Sequence, residues 1–261
     1  MRSRRKFKII HILNPDTKFK KCGGIHMEHT FTESSIIGDI VTKFPKASDL
    51  FKLYRIDFCC GGNRPLSDAI KERNLIAEEV ITNLNTLYHD TKLLHESEID
   101  WKNASYSELI DYIVNKHHRY LNEELPQLSP YVTKVLRVHG SAQPHLAKIH
   151  KLFHELKTEL EQHLIKEETE DFPLILAYEQ NATEENYTKL CKVVEALESE
   201  HSHAGSIIKE LRTITNDFTP PEGACGTYRL VYQRLEALES DLFQHIHLEN
   251  NVLFPRAIAQ K

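Results

Sequence analysis

Apolar residues recur every three or four positions along most of the chain, the spacing that gathers them on one face of an α-helix. In "SIIGDIVTKF", from Ser34, this pattern predicts a short helix. Pro45 opens the next turn, and "KASDLFKLY" carries the pattern up to "RIDFCCGGN" at residues 55–63. Gly61, Gly62 and Pro65 break it there. Ser67 and Asn74 are the expected N-caps of "DAIKERN" and "LIAEEVITNLNTLYHD", so residues 34–92 read as a compact helical domain containing the Cys59-Cys60 turn. Residues 93–104 are mixed and charged, and read as a linker.

Ser105-Tyr-Ser-Glu108 has capping-box spacing and marks a strong helix start. Four long helical segments follow, over about 106–139 with a bend at Pro126, 144–178, 184–213 and 221–258, separated by Gly140, "EQNAT" and "TNDFTPPEG". Short connections make neighbouring helices antiparallel. The expected fold class is all-α: a small N-terminal helical domain, then an antiparallel four-helix bundle over 105–261.

Composition narrows the function. A net charge of −5 leaves no basic surplus for a phosphate backbone, which argues against nucleic acid as a partner. No apolar run approaches the length of a membrane span, so no membrane partner and a cytoplasmic location are expected. Five cysteines at 22, 59, 60, 191 and 225 do not suggest a disulfide framework and read as free or metal-bound thiols. Residues 1–33 read as a tail. Within it, "KKCGGIHM" is what a purine-rich ribosome-binding sequence yields when translated, so Met27 is the expected start, and no function is rested on Cys22, His26 or His29.

The chemistry lies in a repeat. "HLIKEETEDFP" from His163 and "HIHLENNVLFP" from His245 share H-x3-E-x4-F-P. A histidine and a glutamate four residues apart lie on one helix face, close enough to hold one metal centre. His118 lies 45 residues before His163, and His201 lies 44 before His245, so the bundle reads as a two-helix unit used twice. Hairpin geometry sets His118 and His163 at similar height and brings His201 toward His245. Four histidines and two glutamates then point into one layer of the interior.

Two carboxylates can bridge two metals while each metal takes two imidazoles, leaving positions for an oxo bridge or a small ligand. Nitrogen and oxygen donors without thiolate suit iron, or manganese, better than a closed zinc site. His139, about 31 Å beyond His118 along a continuous helix, is excluded, as are His150, His154, His203 and His247. Phe172 and Phe254 are expected to close the apolar end of the core, and Pro173 and Pro255 to bend or end their helices.

On these motifs, with "IDFCCGGN", "ELPQL", "ESEH", "TPPE" and "HLENNVLFPRA", the chain over roughly 36–259 resembles the di-iron iron–sulfur cluster repair proteins, whose bundle is hemerythrin-like. The resemblance implies two non-haem iron ions per chain on His118, His163, Glu167, His201, His245 and Glu249. It also implies repair of iron–sulfur proteins damaged by oxidative or nitrosative stress, with Cys59 and Cys60 in thiol or iron-transfer chemistry. Nitric oxide or oxygen enter as small ligands, and a homodimer through the N-terminal domain is a further expectation from the family. Hemerythrins proper carry a further histidine four residues after the third-helix ligand; Gly205 stands there instead, which leaves one iron more open. No nucleophile–base triad, phosphate loop or dinucleotide fingerprint is present, so any catalysis would be redox chemistry at iron. Two alternatives stay open: an oxygen or nitric oxide binding or sensing protein, and a metal-free interaction scaffold.

Overall fold

The computed structural model describes residues 30–93 and 100–259. Met27, Cys22, His26 and His29, and residues 94–99 of the 93–104 linker, lie outside the described residues. Residues 31–261 form one compact unit, and the described part of it is helical. α1 (Ile37–Lys43), α2 (Ala47–Tyr54), α3 (Leu66–Glu72) and α4 (Ala77–Leu93) share a core built on Phe31, Ile40, Phe44, Phe51, Phe58 and Leu84.

Two of the expected caps fall elsewhere. α3 begins behind Pro65, so its N-cap lies two residues before Ser67; the proline ring fixes φ at −62° and the backbone there is extended, with ψ 147°. Asn74 closes α3 rather than capping α4. Its φ of 53° is left-handed, and the amides of Asn74 and Leu75 return to Lys71 O and Ile70 O, the bonds of a Schellman motif. α2 ends the same way through Arg55 (φ 55°), with Ile56 N–H on Phe51 O, and this reversal aims the chain into the cysteine turn.

The bundle comprises α5 (106–139), α6 (145–180), α7 (184–214) and α8 (226–258). Its first cap is as the sequence predicts: Glu108 N–H donates to Ser105 Oγ at 3.2 Å, and Ser105 N–H to Glu108 Oε2 at 2.9 Å. α5 packs on α6, α6 on α7, α7 on α8 and α8 on α5, a closed antiparallel square. Helix continues through Pro126 and Pro130. α8 starts at Gly226 rather than Pro221, because residues 216–218 take three successive left-handed conformations and Gly223 a fourth (φ 74°), which consumes the preceding stretch as loop.

Three of these helices widen into π-turns, at Ile113–His118, Glu167–Asp171 and Glu249–Leu253. Phe172 N–H reaches back five residues to Glu167 O, and Phe254 N–H to Glu249 O. Pro173 and Pro255, one residue further on, lack an amide hydrogen and would crowd the carbonyl four residues back in an α-helix. The wider turn relieves that clash, so the prolines neither end their helices nor break the bundle.

Candidate metal centre

The six repeat residues meet in one buried layer between two apolar clusters, one around Leu121, Phe153, Ile208 and Leu242, the other around Ile113, Phe172, Leu197 and Phe254. His118, Glu167 and Glu249 are fully buried, and His163, His201 and His245 nearly so. The closest imidazole contacts are between His118 and His245, whose Nε2 atoms lie 3.2 Å apart, and between His163 and His201, at 3.1 Å. These contacts run α5 to α8 and α6 to α7, and His201 also stands near His245, with ring centroids 6.5 Å apart, as the hairpin geometry leads one to expect.

The carboxylates span the two pairs. Glu167 Oε2 lies 3.3 Å from both His118 Nε2 and His163 Nε2, while Glu249 places Oε1 2.9 Å from His245 Nε2 and Oε2 3.2 Å from His201 Nε2. Two four-residue groups result, His118–His245 and His163–His201, each with both glutamates. Both oxygens of Glu167 and Oε2 of Glu249 are buried without a hydrogen-bond partner. Unpaired buried carboxylate oxygens carry a large desolvation cost, and facing imidazole nitrogens with oxygen-only neighbours is the donor set that a first-row cation relieves. The layer fits a metal.

Residues that the sequence reading passed over orient the ligands. His118 Nδ1 donates to Glu168 Oε1 at 2.8 Å, and His201 Nδ1 to Asn250 Oδ1 at 2.7 Å. Each acceptor directly follows a ligand glutamate, so the repeat extends by one position, and each bond turns Nε2 toward the centre. Phe172 stacks on His118 and Phe254 on His201, so these aromatics line the imidazoles as well as closing the core. The other two histidines are unequal. His163 Nδ1 donates to Glu200 Oε2 at 2.6 Å, whereas His245 Nδ1 has no partner and its ring lies parallel to His117, which itself bonds Asp241. A cavity of about 430 Å³ lined by Glu159, Lys166, Glu200 and His203 reaches His163, His201 and His245 from solvent.

The excluded histidines sit apart. His139 bonds Cys225 Sγ, His150 and His154 face Thr133 and Ser129, and His247 is buried against Thr42 and Phe58 O. His203 is half-exposed beside Glu155 and Glu159 at the cavity mouth.

Electrostatics without metal follow from crowding. Burial pulls His163 down, but the carboxylates of Glu167, Glu249 and Glu200 outweigh it and push its pKa up to about 10. Burial raises Glu167 and Glu249, and the imidazoles overcome this and hold both carboxyls below their usual range. The proton on His163 thus stabilises the metal-free fold fully below the ordinary histidine value of 6.5, and that stability is lost as pH rises toward about 10. The melting temperature of iron-free protein is expected to fall between those two values, and the His163→Gln variant to show a flatter profile. Equal slopes in the two proteins would contradict this.

The cysteine turn lies against this layer. Asp57 Oδ1 accepts from the amides of Cys59 and Gly61, both at 3.1 Å, and from Cys59 Sγ at 3.3 Å, while Oδ2 pairs with Lys209 of α7. Cys59 is buried; Cys60 is partly exposed and donates to His201 O at 3.5 Å. A Cβ on Gly205 would lie 3.3 Å from Cys60 Sγ, so the thiol occupies the space that a side chain at that position would take. All four described cysteines are free.

Bundle, buried histidine–glutamate layer and C-terminal π-turns together define a hemerythrin-type cation-binding protein. The Hemerythrin HHE cation binding domain model matches residues 109–257, and ScdA_N, a domain of unknown function (DUF542), matches residues 33–88. The iron-sulfur cluster repair protein ScdA of Staphylococcus epidermidis is 37% identical over 86% of this chain and 98% of its own length. YtfE of Escherichia coli, also called an iron-sulfur cluster repair protein, is 37% identical over 85% of this chain and 96% of its own. A probable iron-sulfur cluster repair protein of Haemophilus influenzae is 33% identical over 86% and 97%. The chain belongs to the ScdA/YtfE family of iron–sulfur cluster repair proteins. Membership implies an iron-binding bundle, in keeping with the histidine–glutamate groups. Among the described residues no helix is long and apolar enough to cross a membrane.

Proposed function

We propose that this chain repairs iron–sulfur clusters damaged by oxidative or nitrosative stress, in the cytoplasm, by supplying iron from a two-iron site. The observation that carries the reading is the layer of four imidazoles and two buried carboxylates, three of whose four oxygens lack a hydrogen-bond partner, lying directly beside a vicinal thiol pair. The names of the relatives point the same way.

His118 and His245 would hold one iron, His163 and His201 the other, with Glu167 and Glu249 spanning both. Iron held by these residues would supply redox chemistry toward oxygen or nitric oxide, and iron handed on to a client would be cargo. The chain's own groups do the rest. Glu168, Asn250 and Glu200 hold the Nδ1 protons so that Nε2 stays free to bind. Burial excludes water from the carboxylates, and the cavity between α6 and α7 gives small molecules and iron a route past Glu159 and Glu200. The hydrogen bond between the sulfurs, with burial, pushes the Cys59 thiol well up, while the same bond lowers Cys60, leaving Cys60 the more exposed and the more readily ionised sulfur for iron or a client thiol.

The test is iron transfer without oxygen to an enzyme whose cluster nitric oxide has damaged. Iron-loaded protein is expected to restore its activity, and the Cys59→Ser/Cys60→Ser variant to do so poorly at equal iron loading. Recovery no better than with the same amount of free ferrous iron, together with a stable reversible nitric oxide adduct, would favour sensing and overturn the repair reading.

A further inference from the structure

The π-turn Glu249–Leu253 carries three consecutive side chains that face three different places. Glu249 faces His245 and His201 in the metal layer. Asn250 holds the Nδ1 proton of His201. Asn251 turns outward to the N-terminal helices: its Nδ2 donates to Cys59 O at 2.9 Å and to Phe58 O at 3.4 Å. Backbone closes tightly around that amide. A Cβ on Gly62 would fall 2.5 Å from Asn251 Oδ1 and from Phe58 O, and one on Gly38 2.5 Å from Asn251 Oδ1. Gly38 N–H also bonds Gly62 O at 2.7 Å, so α1 and the cysteine turn form a glycine-lined slot that receives this one side chain.

The internal repeat shows that the arrangement is not a by-product of the π-turn. Glu167, Glu168 and Thr169 stand in the first copy where Glu249, Asn250 and Asn251 stand in the second. The first two positions do the same work in both copies. The third does not: Thr169 is exposed and bonds its own helix at Ile165 O, whereas Asn251 leaves the bundle to grip the cysteine turn. Only the copy beside the thiols carries the amide.

We infer that Asn251 is a positioning residue that couples occupancy of the metal layer to the placement of the Cys59-Cys60 turn. With metal bound as proposed above, Glu249 is fixed, the π-turn is fixed with it, and the Asn251 amide holds the two carbonyls that set Cys60 against Gly205 and His201. Without metal, Glu249 is released from a ligand, the π-turn loosens, and the thiols open more often. His247, whose Nδ1 donates to Phe58 O at 3.3 Å, grips the same turn from one helical turn earlier, but at Phe58 rather than at a cysteine carbonyl. Asn251 reaches the carbonyl of Cys59.

The test compares full-length parent, Asn251→Ala and Asn251→Asp, each with and without iron. The aspartate variant keeps the shape but sets a carboxylate oxygen, without a hydrogen to donate, against the two carbonyls, and the alanine variant removes the donor without adding charge. Iron per chain and helix content are measured first, then the rate at which a pulse of iodoacetamide labels the Cys59-Cys60 peptide, read by mass spectrometry. In the parent, iron is expected to slow labelling about tenfold, a coupling within the usual range between two sites. Both variants are expected to bind as much iron as the parent while the iron effect shrinks to within about twofold. Variants that keep the parent's tenfold effect would overturn the inference. So would variants that lose iron and helix together, which would make Asn251 ordinary packing, or a parent that binds iron with no change in labelling. A parent that takes up no iron defeats the two-iron reading itself, and metal analysis separates that failure from the others.

Discussion

Replacing Glu167 and Glu249 together by alanine is expected to drop bound iron from about two per chain to almost none, with helix content retained. Each carboxylate faces one imidazole of each pair, so each single replacement removes an oxygen donor from both four-residue groups at once. The double variant leaves two imidazoles per position, too few to hold iron against solvent or a chelator. Helices should survive because the apolar clusters above and below the layer are untouched, and because the variant no longer buries carboxylates lacking partners. Metal analysis after anaerobic reconstitution reads the outcome. Iron retained near the parent level would mean that other residues bind it, with the Glu155–Glu159–His203 group at the cavity mouth the next to examine.

The largest expected effect on stability lies elsewhere. Glu239 is fully buried in α8, and Arg212 of α7 grips both its oxygens, one through Nε at 2.7 Å and the other through Nη2, while Nη1 reaches Asp217 at 3.2 Å. Asp217 also takes Arg55, the left-handed residue that launches the cysteine turn. Arg212→Ala would strand a buried charge, at a cost of about 3–5 kcal/mol. For a domain of this size that corresponds to a fall in melting temperature of roughly 10 °C. Adding Glu239→Leu to Arg212→Ala should restore most of the loss, since the damage comes from the unpaired charge. A double variant no more stable than the single would show that the pair's packing, not its charge, supports the joint between α7 and α8.

Much of this was legible in the chain because it is written twice. H-x3-E-x4-F-P with an upstream histidine marks both halves of the layer, and the 3.6-residue spacing marks the helices that carry it. The pairing of the imidazoles was not legible, since sequence distance from a turn gives height along a bundle and not which faces meet across it. The π-turns were half written: Pro173 and Pro255 announce a disturbance, but a proline alone does not say whether the helix ends, bends or widens, and here it widens through bonds from Phe172 to Glu167 O and from Phe254 to Glu249 O. Glu168, Glu200 and Asn250 look like ordinary solvent-facing helix residues until the imidazole beside each is known. Gly205 was noticed as a missing histidine. Its use, as the place where Cys60 rests, depends on a turn more than 140 residues away in sequence.

The most direct measurement is an anomalous difference map, recorded just above the iron absorption edge, from crystals of the iron-loaded protein. Two peaks of similar height are expected, one between His118 and His245 and one between His163 and His201, each within bonding distance of Glu167 and Glu249. A single peak, or iron held only at exposed carboxylates outside the layer, would contradict a two-iron centre built from the repeat.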